Sequence, residues 1–430
     1  MLAVLGFGTL GVFMALVMRR YATAFVAIMA TPVFFGVAAG FGGDLDEMML
    51  NGLEIVAPTA ILLLFAVLYF GVMMDARLFD PISRMIIRVS KGDPVRICVG
   101  TAVLALLVAL DGDGTTSYMI ICSAFLPIYR RLGINPLVIA TIATMALGTI
   151  SGTTPWGGAA TRGISVLHLD STDYFVHMIG PMVLTSLTIV AIAWMLGRDQ
   201  RKRIDRSVID EFAAEIAAQD RGDADRTWRT WFNAGLTVLL LVLLVAGVAE
   251  PVNLFMLAFV IALLVNHPRL ADQGEVIKKH AGNAVPVVML VLGAGIFTGI
   301  MTDTGMTEAM ADALLAVVPD SLGNLIPLFT AVIGLPLSFF MSNDAYFFGV
   351  LPVLAESAGH YGIAPVEIAR AGAIGQMMHS IGPASAPLWV LLGLIKRDLG
   401  DFQRFAVLWV LLASLAYIAF AVLTGAISVA

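Results

Sequence analysis

The sequence is poor in charge: only 13% of its 430 residues are Asp, Glu, Lys or Arg, while 59% are hydrophobic. Soluble domains carry about 25% charged and roughly 45–50% apolar residues. Charge is costly in hydrocarbon, and here it is scarce along the whole chain. No charged, loop-rich block the size of a soluble domain interrupts the apolar sequence, which excludes a soluble enzyme on a single anchor. Cysteine is nearly absent. Cys98 and Cys122, both in apolar surroundings, exclude a disulfide framework and a cysteine-spaced zinc site. A P-loop and an HExxH pair are missing, so neither ATP hydrolysis nor zinc proteolysis is expected. No basic segment precedes the first apolar run; Arg19 and Arg20 follow it, so this run is expected to remain as a first span. The net charge of −6 says little about partners, and no nucleic-acid partner is expected.

What is present is a series of apolar stretches near the length of about 20 residues that crosses a bilayer. They lie near 2–18, 22–40, 53–74, 135–167, 174–197, 231–250, 252–266, 283–302, 361–394 and 403–427. Two more, near 95–129 and 321–358, carry polar clusters in mid-segment, as re-entrant hairpins do when their tips face a cavity. If each hairpin enters and leaves on one side, the basic groups at 19–20, 84–96, 130–131, 198–206, 278–279 and 396–397 share one face, which is cytoplasmic by the positive-inside rule. The opposite loops, such as GGDLDE at 42–47, are acidic or neutral. This predicts ten through-spans, two hairpins and both termini outside. The all-α chain then divides into a membrane half at 1–197, a cytoplasmic linker at 198–230 and a second membrane half at 231–430.

The halves resemble one another. A shift of 228 residues lays FGVMMDARL (70–78) on TGIMTDTGM (298–306), pairing Gly71 with Gly299 and Asp75 with Asp303, and carries Tyr118 onto Tyr346. Each half reads span, amphipathic linker, interrupted hairpin, Leu-Pro, then a long helix broken by Gly, Ser, Thr and Pro. The first hairpin enters from the cytoplasm and the second from outside, so the repeats are expected to be inverted, as in many secondary transporters. Asp75 and Asp303 are expected to cap helices before the linkers.

Four clusters place polar and flexible residues inside apolar sequence: DGDGTTS from Asp111, SGTTPWGG from Ser151, SNDAY from Ser342 and HSIGPASAP from His379. Gly and Pro stop a helix and free its backbone groups, offering N–H to anions and C=O to cations at membrane depth. Asp111, Asp113 and Asp344 are candidates for proton coupling or for contact with a hard cation. Thr115, Thr116, Asn343 and Ser342 at the tips, and Ser151, Thr153, Thr154, Ser380 and Ser385 at the breaks, are candidates for substrate contact. Arg162 suits bidentate pairing with a carboxylate; His379 suits a proton carrier or carboxylate donor. Arg370 is a weaker candidate of the same kind as Arg162. The combination fits a small anionic substrate with a co-transported cation.

The paired polar tip, Leu-Pro and broken helix resemble the ion transporter superfamily, including divalent-anion/sodium symporters with Ser-Asn-Thr tips; here Asp344 stands where threonine would be. Within that group, ALDGDGTTSYMI followed by SGTTPWGG resembles the citrate–metal–proton symporter family. The resemblance implies uptake of citrate complexed with a divalent cation of the Mg or Ca type, driven by protons. It also implies an inner-membrane homodimer with a scaffold and a transport domain that moves as an elevator. A proton- or sodium-coupled di- or tricarboxylate transporter without metal remains open beside it, as, more remotely, does a channel or membrane enzyme.

Overall fold

The structure, a computed structural model, describes residues 1–19, 21–112, 114–219, 228–246, 248–315, 320–340, 343–383 and 385–428. Asp113 and Ser342 lie outside the described residues. The first half contains α1 (Leu2–Met18), α2 (Ala24–Ala38), α3 (Leu45–Asp75), α4 (Asp80–Ser90), α5 (Pro94–Val108), α6 (Gly114–Leu132), α7 (Pro136–Thr153), α8 (Gly158–Val166) and α9 (Ser171–Arg203). The linker holds α10 (Arg206–Gln219). The second half contains α11 (Trp228–Val245), α12 (Pro251–Asn266), α13 (Leu270–Asp303), α14 (Met306–Leu315), α15 (Ile326–Phe340), α16 (Leu351–Gly359), α17 (Pro365–Gly375), α18 (Ala386–Ile395) and α19 (Leu399–Leu423). Each half of the described chain therefore contributes nine helices, and no strand occurs among the described residues.

Seven helical segments among them are long and apolar enough to cross a membrane. Four of the expected spans form shorter helices: α2 has 15 residues and α12 has 16. At 1.5 Å per residue these reach about 23 Å, less than the roughly 30 Å of a hydrocarbon core. Two other expected spans are each two helices. The 135–167 stretch is α7 and α8, and the 361–394 stretch is α17 and α18 with a 3₁₀ segment, Gln376–Ile381, between them.

Caps explain where several helices begin. Asp93 accepts from the Val95 N–H at 3.0 Å ahead of α5, and Asn135 from the Leu137 N–H at 3.0 Å ahead of α7. In both, proline follows as the first helical residue, where its missing N–H costs nothing. Asp170 caps α9 in the same way, through the Asp173 N–H.

The frame of the molecule is the antiparallel pair α3 and α13, with α12 packed on α3 and α2 on α13. Their interface is close because glycine lines it. A Cβ on Gly52 would strike the Gly295 carbonyl, and one on Gly299 the Met48 carbonyl. Small residues at helix crossings are the usual route to close packing in lipid, where apolar contact alone gives no preference for protein over acyl chains. The contacts are reciprocal. Asp75, ending α3, pairs with Lys279 at 2.5 Å and His280 at 2.9 Å near the start of α13. Asp303, ending α13, accepts from Asn51 near the start of α3 at 3.4 Å. Lys279 and Asn51 occupy equivalent positions under the shift that pairs the two aspartates, and the same shift pairs Pro58 within α3 with Pro286 within α13. The two aspartates thus join helices to each other instead of capping their own. A carboxylate at a helix C-terminus is disfavoured by the macrodipole and needs a partner elsewhere.

Candidate binding cavity between crossed hairpins

The two hairpins and the two broken helices meet crosswise. α18 of the second half packs on α6 of the first, and α8 of the first half packs on the π-helical stretch Ala345–Val350 of the second. Each tip therefore rests on the broken helix of the other half: Gly114 lies against Pro387, and Arg162 reaches Asp344. Between them and the α3–α13 frame lies a cavity of about 530 Å³, within the range of small-molecule sites.

Helix starts surround this cavity. Gly114 at the start of α6, Gly158 at the start of α8, Ser385 before α18 and Asn343 ahead of the π-helical stretch all line it. Gly157 has no side chain with which to cap α8, where Ser151 Oγ takes the Ala159 N–H, and Ser385 makes no side-chain cap bond to α18. The first-turn N–H groups of α8 and α18 thus add positive potential to the cavity wall.

Asp111 is buried at the first tip, accepts from Ser117 Oγ at 2.9 Å and lines the cavity. The turn beside it needs glycine. Gly112 has φ +80°, and a Cβ there would press on the Trp156 carbonyl at 3.0 Å. Across the cavity, Arg162 Nε donates to Asp344 Oδ1 at 2.6 Å, while Arg162 Nη1 donates to the Gly158 carbonyl at 2.6 Å. Each side chain of this ion pair is 19% exposed. Ser151 Oγ accepts from the Ala159 N–H at 3.4 Å, holding the first turn of α8 against the end of α7. His379 Nδ1 lies 3.1 Å from the Ser338 carbonyl, and Ser380 Oγ donates to the Met377 carbonyl at 2.8 Å.

The structure thus brings Asp111, Ser151, Arg162, Asn343, Asp344, His379, Ser380 and Ser385 to one cavity. Five other expected residues do not line it. Thr153 donates to the Thr149 carbonyl and shares a 2.5 Å bond with Tyr417 Oη, and Thr154 donates back to Ile150. Both hydroxyls serve the end of α7. Thr115 and Thr116 lie on the first turn of α6, beside the lining residue Gly114. Arg370 is buried elsewhere: it donates to the Asp173 carbonyl at 2.8 Å and tethers α17 to the start of α9.

Three lining residues carry no expectation from the sequence. Trp156 donates from Nε1 to the Leu110 carbonyl at 2.7 Å, tying the first break to the first tip. Its ring packs on Phe70 of α3 and Phe255 of α12, so it also joins this region to the frame. Asn283 of α13 and Gln376 line the cavity as neutral amides. Asn343 Oδ1 and both amide atoms of Gln376 are buried without a hydrogen-bond partner among the described residues.

Membrane helices broken around a polar, charge-paired cavity define the class: an all-α, multi-pass membrane transporter, not an enzyme. The chain belongs to the citrate transporter family, CitMHS, whose model matches residues 9–375. Three proteins of Bacillus subtilis (strain 168) are each 44% identical to it, over 100% of both chains. They are a citrate transporter, an Mg(2+)/citrate complex secondary transporter and an uncharacterized transporter, YraO. The crystal structure of the Alcanivorax borkumensis YdaH transporter, described as having an unusual topology, covers 90% of this chain and 89% of its own, with a TM-score of 0.60. At 15% identity, that likeness is one of fold alone.

Proposed function

We propose that this protein takes up citrate as a complex with a divalent cation, Mg²⁺ or Ca²⁺, by proton symport across the cell membrane. The observation that carries the reading is the ion pair between Arg162 and Asp344, which links the two halves inside the cavity. Opening that pair leaves a cation-seeking carboxylate and an anion-seeking guanidinium. A free carboxylate would satisfy Arg162 alone and leave Asp344 without a counter-charge. A metal–citrate complex offers both signs at once: carboxylate to the guanidinium fork, and a hard cation to Asp344 and to Asp111, which lines the same cavity. Helix N-termini around the cavity add to the pull on the anion. The relatives named as citrate and Mg(2+)/citrate transporters support the same cargo. Asp111, Asp113 and Asp344 are the proton-coupling candidates, with His379 beside them.

In this reading the halves are inverted repeats. The antiparallel, reciprocal contacts of α3 with α13 support it, since a two-fold axis relating antiparallel spans lies in the membrane plane. Access alternates when the hairpins and broken helices move as one body past the α3–α13 frame, in a homodimer that holds the frames together. The test is labelled-citrate uptake into proteoliposomes, with and without Mg²⁺ or Ca²⁺, under an imposed inward proton gradient. Uptake that needs both metal and gradient is expected. Suppression by metal would move the assignment to free carboxylate, and indifference to the gradient would remove the proton.

A further inference from the structure

Gln376 is an unusual side chain to find in this wall. It opens the 3₁₀ segment after α17 and is only 5% exposed, yet neither Nε2 nor Oε1 has a partner among the described residues. A buried amide with both ends unbonded is costly, and folded proteins keep few of them. It is also held in place. On one side, Gly375 packs against Gly334 so closely that a Cβ would lie 2.9 Å from the Gly334 Cα; on the other, Gly148 packs on Met377. The backbone on both flanks is closely packed, so the place of Gln376 in the cavity wall is set before any cargo arrives.

The chemistry of the two free ends narrows what would satisfy them. An amide offers two N–H donors and one carbonyl acceptor. A cargo carboxylate is an acceptor only, so it can take a bond from Nε2 but gives nothing to Oε1. The neighbouring acids have the same restriction when ionised. Arg162, a strong donor in the same lining, is committed to Asp344 and the Gly158 carbonyl. Oε1 needs an O–H. A carboxylate with a hydroxyl on the adjacent carbon presents an acceptor and a donor side by side, matching both ends of one amide.

Building on the carboxylate-transporter reading above, we infer that Gln376 is a specificity-determining residue that reads the hydroxyl of a 2-hydroxycarboxylate. Oε1 accepts from that hydroxyl, and Nε2 donates to the carboxylate beside it. A site whose buried polar group is left unpaired by the wrong substrate discriminates far better than one that only measures size.

The test compares each hydroxy acid with its deoxy partner in proteoliposomes at fixed Mg²⁺: citrate with propane-1,2,3-tricarboxylate, and malate with succinate. The wild-type protein is expected to favour the hydroxylated member by about tenfold or more, the worth of one good hydrogen bond in a dry site. Gln376→Met, close in length and shape, is expected to bring that ratio near one, chiefly by losing the hydroxylated member. Its thermal unfolding without substrate is expected to be unchanged or later, because an unpaired buried polar group has been removed. Gln376→Glu keeps the acceptor and loses the amide donors, so it should weaken both members and retain the ratio. The inference is overturned if Met leaves the ratio unchanged, if both members fall equally in Met, or if Glu loses the ratio too. It is overturned as well if the ratio follows the metal supplied, which would make Oε1 a cation ligand. If citrate is not carried but another pair shows the Gln376-dependent ratio, the cargo proposal falls and this inference stands. If no carboxylate is carried, both fall.

Discussion

Asp344 and Arg162 meet from opposite halves, and truncating either leaves the other charged and facing the cavity. Removing one member of a fully buried pair costs roughly 3–5 kcal/mol. With 19% of each side chain exposed, screening reduces this to about 1–2 kcal/mol in Arg162→Ala or Asp344→Ala. The double variant should recover most of that loss in thermal unfolding while still failing to transport. In uptake assays Arg162→Ala should raise the apparent KM for citrate at least about tenfold, because it removes a charge-assisted bond; an unchanged KM would take Arg162 out of the binding step. Most of these residues were legible because charge and hydroxyls stand out against apolar sequence. Gln376 and Asn283 were not, although each stands beside a polar or basic cluster that the sequence does show. A neutral amide perturbs no charge pattern, and its importance lies in whether nearby carbonyls are already bonded, which only the fold decides. Trp156 stood inside a motif that was read for its glycines and threonines, and its indole N–H turns out to tie that motif to the first tip.

Among the elements, the hairpins and broken helices were readable because Gly, Pro and polar clusters cannot sit in a lipid-facing helix. The division of two long apolar stretches into α7–α8 and α17–α18 follows from the same residues. The short helices were less accessible, since an apolar run does not reveal where its helix ends. Nor did the sequence disclose the crossing of α3 with α13, because glycine is common throughout the chain and only geometry separates a contact glycine from a permissive one. The distinction can be tested. Gly295→Ala drives a Cβ against the Gly52 carbonyl and the Val56 side chain, and overpacking of this kind typically costs about 1–3 kcal/mol. Its unfolding temperature in detergent should fall. Gly235→Ala, within α11 and with no atom near its added Cβ, should leave unfolding unchanged or delay it. Equal effects at the two positions would remove the crossing as a source of stability.

For the whole molecule, the basic residues give an expected orientation in which the reciprocal contacts fall at opposite ends of the α3–α13 pair. On that expectation the Asp75–Lys279 contact lies on the cytoplasmic face with the basic linker, and the Asp303–Asn51 contact on the opposite face. An alkaline phosphatase fused after residue 428 should therefore be active outside the cell, and one inserted within 220–227 inactive; the reverse pattern would overturn the orientation. The crosswise resting of each tip on the other half's broken helix could not be read from the chain, because it joins positions far apart in sequence. One last feature bears on how motion could be followed. Both native thiols are buried, Cys98 at 0% and Cys122 at 2% exposure. A water-borne maleimide meets no native thiol on the described surface, so a cysteine introduced into the cavity would be the one it labels. Timing that labelling from each side of the membrane would test the proposed alternation of access in an otherwise unmodified chain.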